Sequence, residues 1–162
     1  HGFFVDGFIC EPLLGIKWVS RVSYREAPTY EISFMFRRIL VPVDGSANSL
    51  KALDLALDLA RHYGSAVTVV FAKPRGYNVE HNPLEKARER AVKAGINASF
   101  KTIEYDPVKE SEASAILSEI VNGSYDLVVM GARGLTLSSE INLGSKALAV
   151  VSNAPVTVIV VR

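Results

Sequence analysis

From residue 36 onward the sequence predicts a doubly wound α/β domain: an open parallel sheet of five strands with helices on both faces. Three observations carry this. Short apolar runs alternate with segments of helical periodicity from Arg38 to the end of the chain. Most of the runs are nearly continuous, as in strands buried on both faces. The helical segments between them are long enough to serve as crossovers between parallel strands.

The elements follow in order. Ile39-Leu-Val-Pro-Val43 is the first strand, and Pro42, which has no N–H to give a ladder, belongs at its carboxyl end. Ser46 or Ser49 can cap a helix running to about His62. Lys51, Asp54, Asp58 and Arg61 form its polar stripe, and Leu53, Ala56, Leu57 and Ala60 its apolar one; Gly64 stops it. Ala66 to Ala72 reads as the second strand. Asn82-Pro83 opens a charged helix that ends before Gly95, with proline at its first position and glycine past its end. Ala98 to Tyr105 alternates as a half-exposed third strand near an edge, and Glu112 to Val121 is a third helix with Ala113, Ile116, Leu117 and Ile120 facing inward. Asp126 to Met130 is the fourth strand, Leu143 to Asn153 the fourth helix, and Val156 to Val161 the fifth strand.

Residues 1–35 break this rhythm. Ile16, Trp18, Val22 and Tyr24 fall on one alternation and Tyr30, Ile32, Phe34 and Phe36 on another, with Arg25-Glu-Ala-Pro-Thr29 able to turn between them. A β-hairpin extension is one reading. The other is that Met35 is the natural start and the rest is non-native upstream sequence.

Composition narrows the function. With 49% hydrophobic and 22% charged residues in 162, the chain has material for a compact core. A net charge of +1 argues against nucleic acid or an acidic membrane surface as partner. The single cysteine, Cys10, excludes a disulfide within the chain and a multi-cysteine metal cluster. No apolar segment approaches the ~20 residues needed to span a bilayer. His1-Gly-Phe-Phe lacks the basic start of a signal peptide, so a cytoplasmic location is expected.

In open parallel sheets ligands bind beyond the carboxyl ends of the strands, where the strand order reverses. If the first and fourth strands are neighbours, Val43-Asp44-Gly45-Ser46 and Met130-Gly131-Ala132-Arg133-Gly134 end there together. Glycines at 131 and 134 would let backbone amides approach a ligand, and Gly144-Ser145 would lie in the first turn of the fourth helix. Free amides and the positive end of the helix dipole suit an anion, phosphate above all. Ser145 can add a hydroxyl, and Arg133 or Lys146 a positive charge. Asp44 has a bland alternative, since Asp-Gly-Ser is good turn and capping chemistry. Gly131 and Gly134 could merely relieve a tight bend.

The spacing Gly131-x2-Gly134-x9-Gly144-Ser145 resembles the nucleotide-binding pattern of the universal stress protein family. The opening Ile39-Leu-Val-Pro-Val-Asp44-Gly-Ser46 and the closing Ala154-Pro-Val-Thr-Val-Ile-Val-Val161 are similar to the family's first and last strands. The resemblance covers residues 36–162 and leaves 1–35 aside. It implies an adenine nucleotide α-hydrolase-like sheet in the order 3-2-1-4-5 with ATP, accompanied by magnesium, in its crevice. Asp44 would then contact the adenosine portion, Pro42 and Val43 would wall the base, and the backbone of Ala72 would hydrogen-bond it. Met130 and Gly131 would flank the ribose, and Gly134, Gly144 and Ser145 would hold the phosphates, with Ala132, Arg133 and Lys146 beside them. Lys146 departs from the small or aliphatic residue more usual there: it either reaches a phosphate or points to water. The segment Lys73 to His81 is short, so one wall of the pocket is expected to be open, and Leu135 to Leu143 are expected to be the part that moves.

The resemblance also implies a homodimer through the last strand, Val156 to Val161, and a regulatory role toward an unknown protein partner. No general base and no carboxylate pair suited to two-metal chemistry can be assigned, so no catalytic residue is expected. The alternatives are a slow ATP hydrolase or adenylate-transferring enzyme of the same fold, and a nucleotide-free dimerisation module.

Overall fold

The structure is a computed structural model that describes residues 35–134 and 143–162. The expected hairpin before Met35 and, of the expected moving part Leu135 to Leu143, all but Leu143 lie outside the described residues. The element order is β1 (Arg38–Pro42), α1 (Ala47–Tyr63), β2 (Ala66–Pro74), α2 (Pro83–Ala94), β3 (Ser99–Tyr105), α3 (Glu112–Asn122), β4 (Leu127–Gly131), α4 (Ser145–Asn153) and β5 (Thr157–Val161).

Among the described residues all strand pairs are parallel, and the sheet order is β3-β2-β1-β4-β5. The decisive neighbour relation, β1 beside β4, places Ile39 opposite Leu127. Asp126 helps to set it: its carboxylate accepts from the backbone N–H groups of Arg37 (2.9 Å) and Arg38 (3.0 Å). The Asp126 N–H in turn donates to the Arg38 carbonyl at 3.0 Å.

Two core layers follow from the strand period of two. Ile39 and Val41 of β1, Val67 and Val69 of β2, and Leu127 and Val129 of β4 face one side and pack with Leu53, Ala56 and Leu57 of α1 and Leu84, Ala87 and Ala91 of α2. Leu40, Val70 and Val128 face the other and pack with Ile116 and Ile120 of α3 and Val150 of α4. These runs are continuous in the sequence because both faces of the central strands are dry.

Helix boundaries follow their caps. Ser46, not Ser49, caps α1: its side chain accepts from the Ser49 N–H at 3.2 Å. Asn82 caps α2 by accepting from Leu84, and Ser111 caps α3 by accepting from Ser114. At the start of α4 the cap is Gly144, with extended φ −69° and ψ 163° and no side-chain cap bond. This corrects the expectation that Leu143 and Gly144 belong to the helix: Gly144 precedes the first turn, so it carries no helix-interior penalty.

Candidate functional site

At the carboxyl ends of β1, β2 and β4 lies a cleft of about 490 Å³. It opens where the strand order reverses between β1 and β4, since β1 continues to β2 on one side while β4 lies on the other. Its walls differ in character. The β2 side contributes Phe71, Ala72, Pro74, Tyr77 and Val79; the β4 and α4 side contributes Gly131, Ala132, Arg133, Gly134, Gly144, Ser145, Lys146 and Ala147. One wall is apolar and aromatic, the other rich in glycine and charge.

Of the residues expected at the site, Asp44, Ala72, Gly131, Ala132, Arg133, Gly134, Gly144, Ser145 and Lys146 line the cleft together. Pro42, Val43 and Met130 do not: they are buried in or next to the sheet, as continuous apolar strands packed on both faces require. The segment expected to leave an opening supplies Tyr77, Val79 and His81 to the lining, so that side carries a wall. Tyr105 at the end of β3 and Glu112 at the start of α3 also line the cleft and were missed by sequence reasoning. Their signal was positional. Tyr105 ends a strand at the same edge of the sheet, paired with Pro74, and Glu112 opens the next helix.

The glycine wall is tied down by backbone bonds. The Ala132 N–H donates to the Val161 carbonyl at 2.7 Å, and the Gly144 N–H donates to the Ala132 carbonyl at 2.7 Å. The first turn of α4 is thereby held beside the chain leaving β4. A Cβ at Gly134 would stand 2.9 Å from Asp44 Oδ2, and one at Gly144 would stand 3.3 Å from the Ala132 carbonyl oxygen. Gly131 is different: there a Cβ would meet the Asn48 backbone in the first turn of α1. Its lack of a side chain is required by packing against α1, a reason independent of any ligand in the cleft that it also lines.

Asp44 carries out the turn chemistry of its bland reading and also holds Lys146. Its Oδ1 accepts from the Ser46 N–H at 2.9 Å, which is turn chemistry before α1, while Oδ2 accepts from Lys146 Nζ at 3.2 Å. Lys146 also donates to Glu112 Oε2 at 3.0 Å. It therefore does not point to water, because two carboxylates at the cleft hold it. Burial alone would raise the Asp44 pKa, but the Lys146 charge and the bonds from Ser46 and Lys146 outweigh it and hold the carboxyl below its ordinary value. Burial alone would lower the Lys146 pKa, and the charges of Glu112 and Asp44 outweigh that and raise it. Burial and the nearby Glu112 push the Tyr105 phenol up, so it stays a neutral donor.

Free first-turn amides and the dipole of α4 face the cleft with no side-chain cap competing for them. Chemically the arrangement can hold an anion on the glycine side and a flat apolar group on the aromatic side. Among the described residues no group of three or more His, Cys, Asp or Glu is placed to hold a metal ion. No helix among the described residues is long and apolar enough to cross a membrane.

A family model described as the Universal stress protein family matches residues 35–162. The Universal stress protein in QAH/OAS sulfhydrylase 3'region of Thermus aquaticus is 32% identical over 139 residues, covering 79% of this chain and 100% of its own length. Universal stress protein YxiE of Bacillus subtilis is 30% identical over 153 residues, with coverage of 79% and 100%. Among solved structures, UspA from Lactobacillus plantarum aligns with a TM-score of 0.59 at 23% identity, over 78% of this chain and 98% of that one. A universal stress protein from Archaeoglobus fulgidus in complex with dAMP aligns with a TM-score of 0.59 at 22% identity, over 79% and 99%. A universal stress protein in complex with cAMP aligns with a TM-score of 0.62 at 21% identity, over 78% and 97%. At these identities the structural likeness speaks for the shared fold.

Proposed function

The chain belongs to the universal stress protein family, and from that premise we propose that its cleft binds an adenine nucleotide, ATP with magnesium in the first place, as a regulatory signal. One observation carries the reading. The uncapped start of α4 and the Gly131–Gly134 turn face one cleft at the switch point of the sheet, with an aromatic wall opposite. The complexes of family members with dAMP and cAMP support an adenine nucleotide as the ligand class.

In this reading the phosphates sit at the amides of Ser145 and Lys146 and beside Gly134. Asp44 receives the ribose, and the adenine lies on the side of Phe71, Ala72 and Val79. The nucleotide supplies magnesium ligands through its own phosphates. Residues 36–162 form the universal stress domain and residues 1–35 a separate extension. Two copies pair through β5, whose outer edge has no partner strand among the described residues, and the protein acts in the cytoplasm on a protein partner.

Titration calorimetry of the purified chain with ATP and magnesium tests this. Saturable one-site binding, and an adenine nucleotide among the small molecules released on denaturation, are expected. Absence of binding by ATP and by AMP would overturn the reading.

A further inference from the structure

We propose that Lys146 is the residue through which the cleft selects for phosphate, and that Glu112 competes with the ligand for it. This rests on the nucleotide reading above and deepens it.

Three elements that are far apart in the chain meet at one ammonium. Asp44 follows β1, Glu112 begins α3 and Lys146 lies in the first turn of α4; Nζ stands 3.2 Å from Asp44 and 3.0 Å from Glu112. The Asp44 oxygen it bonds is the same atom that a Cβ at Gly134 would meet at 2.9 Å. The ammonium therefore stands at the junction of the glycine turn and the uncapped helix, where an anion would be received.

The charges there do not favour an anion unaided. Two carboxylates and one ammonium leave the cluster with an excess negative charge, so a phosphate approaching Lys146 is repelled by both acids and is received more readily when one of them draws back. Asp44 is the better held, since it also accepts from the Ser46 N–H. Its side chain is 13% exposed, against 34% for Glu112. Water can take up the Glu112 charge at lower cost, so Glu112 is the partner that yields. An ammonium has three donors, which lets Lys146 keep Asp44 while turning one donor to phosphate. Adenosine, having no phosphate, gains nothing from the exchange.

Calorimetric affinities of the full chain for adenosine, AMP and ATP, in wild type, Lys146→Met, Glu112→Gln and the double variant, test this. Lys146→Met is expected to weaken AMP and ATP about tenfold and leave adenosine within about twofold, the size of one charge-assisted hydrogen bond. Glu112→Gln is expected to tighten AMP and ATP by roughly two- to fivefold, as loss of a half-exposed ion pair allows, with adenosine unchanged. In the double variant that gain disappears, because Glu112 acts only through Lys146.

The urea-denaturation midpoint of each variant serves as the independent check that it is folded. Equal weakening of all three ligands by Lys146→Met, or weaker nucleotide binding in Glu112→Gln, would overturn the proposal while leaving the nucleotide reading standing. Wild-type protein that binds none of the three overturns both.

Discussion

Gly131 and Asn48 approach so closely that a Cβ added to the glycine would lie 2.8 Å from the Asn48 carbonyl carbon and 2.9 Å from its Cβ. The end of β4 thus rests on the first turn of α1, and both contacts are with atoms that cannot swing aside. Gly131→Ala must push the helix off the strand. Overpacking of this kind costs about 1–3 kcal/mol, so the midpoint of urea denaturation is expected to fall. An unchanged midpoint would show that the strand end yields freely and that the glycine is there for another reason.

Gly144→Asp has the opposite signature. Gly144 has the extended geometry of a helix cap, which aspartate adopts well, and the added Cβ needs the Ala132 carbonyl to give by only a few tenths of an ångström. Stability is expected to stay within about 1 kcal/mol of wild type. ATP binding is expected to be lost, because the new carboxylate takes the amides and the dipole meant for phosphate. Wild-type ATP affinity in a folded Gly144→Asp protein would put the phosphates elsewhere.

The Asp44–Lys146 pair makes stability depend on pH at both extremes. Burial, which favours the neutral acid, is outweighed at Asp44 by Lys146 and by the bonds from Ser46, so the folded pKa lies below the ordinary 3.8. The contribution of Asp44 is therefore whole above 3.8 and is lost as pH falls through the folded value. Burial at Lys146 is outweighed by Glu112 and Asp44, so the folded pKa lies above the ordinary 10.5; that contribution is whole below 10.5 and is lost as pH rises through the folded value. The stability difference between wild type and Lys146→Met, read by urea denaturation, should be flat around neutrality. It should shrink below pH 3.8 and above pH 10.5. A difference that stays constant down through the acid limb would mean that the two side chains are not coupled in solution.

Dimerisation through β5 can be tested without disturbing the sheet. The Val161 carbonyl faces β4, because it accepts from the Ala132 N–H. In a parallel ladder the backbone groups of successive residues point to opposite neighbours, so the Val160 N–H faces the outer edge. Val160→Pro removes that outward donor and spares the β4–β5 ladder. Sedimentation velocity is expected to show monomer for the variant where wild type is dimeric, and an undiminished dimer would locate the interface away from this edge.

Much of this was legible in the sequence, for local reasons. Continuous apolar runs marked β1, β2 and β4, because strands buried on both faces have no polar side to alternate with. Ser46, Asn82-Pro83, Gly64 and Gly95 announced helix ends, because capping depends on residues within one turn. Boundaries were less legible. β2 runs on to Pro74 through Lys73, whose side chain pairs with Glu104 across the adjacent strand, a partner that no local pattern reveals.

The order of elements, the parallel sheet and the glycine wall of the cleft were determined by the sequence itself, since periodicity, caps and spacing are local properties. Only the tertiary structure decided what those residues do to one another. Asp44 and Lys146 are 102 positions apart, and Glu112 and Lys146 are 34 apart. Gly131 owes its identity to a helix that begins far earlier in the chain. Charge pairing and steric exclusion act over a few ångströms of space whatever the separation along the chain, so they come into being only when the sheet sets β1 beside β4.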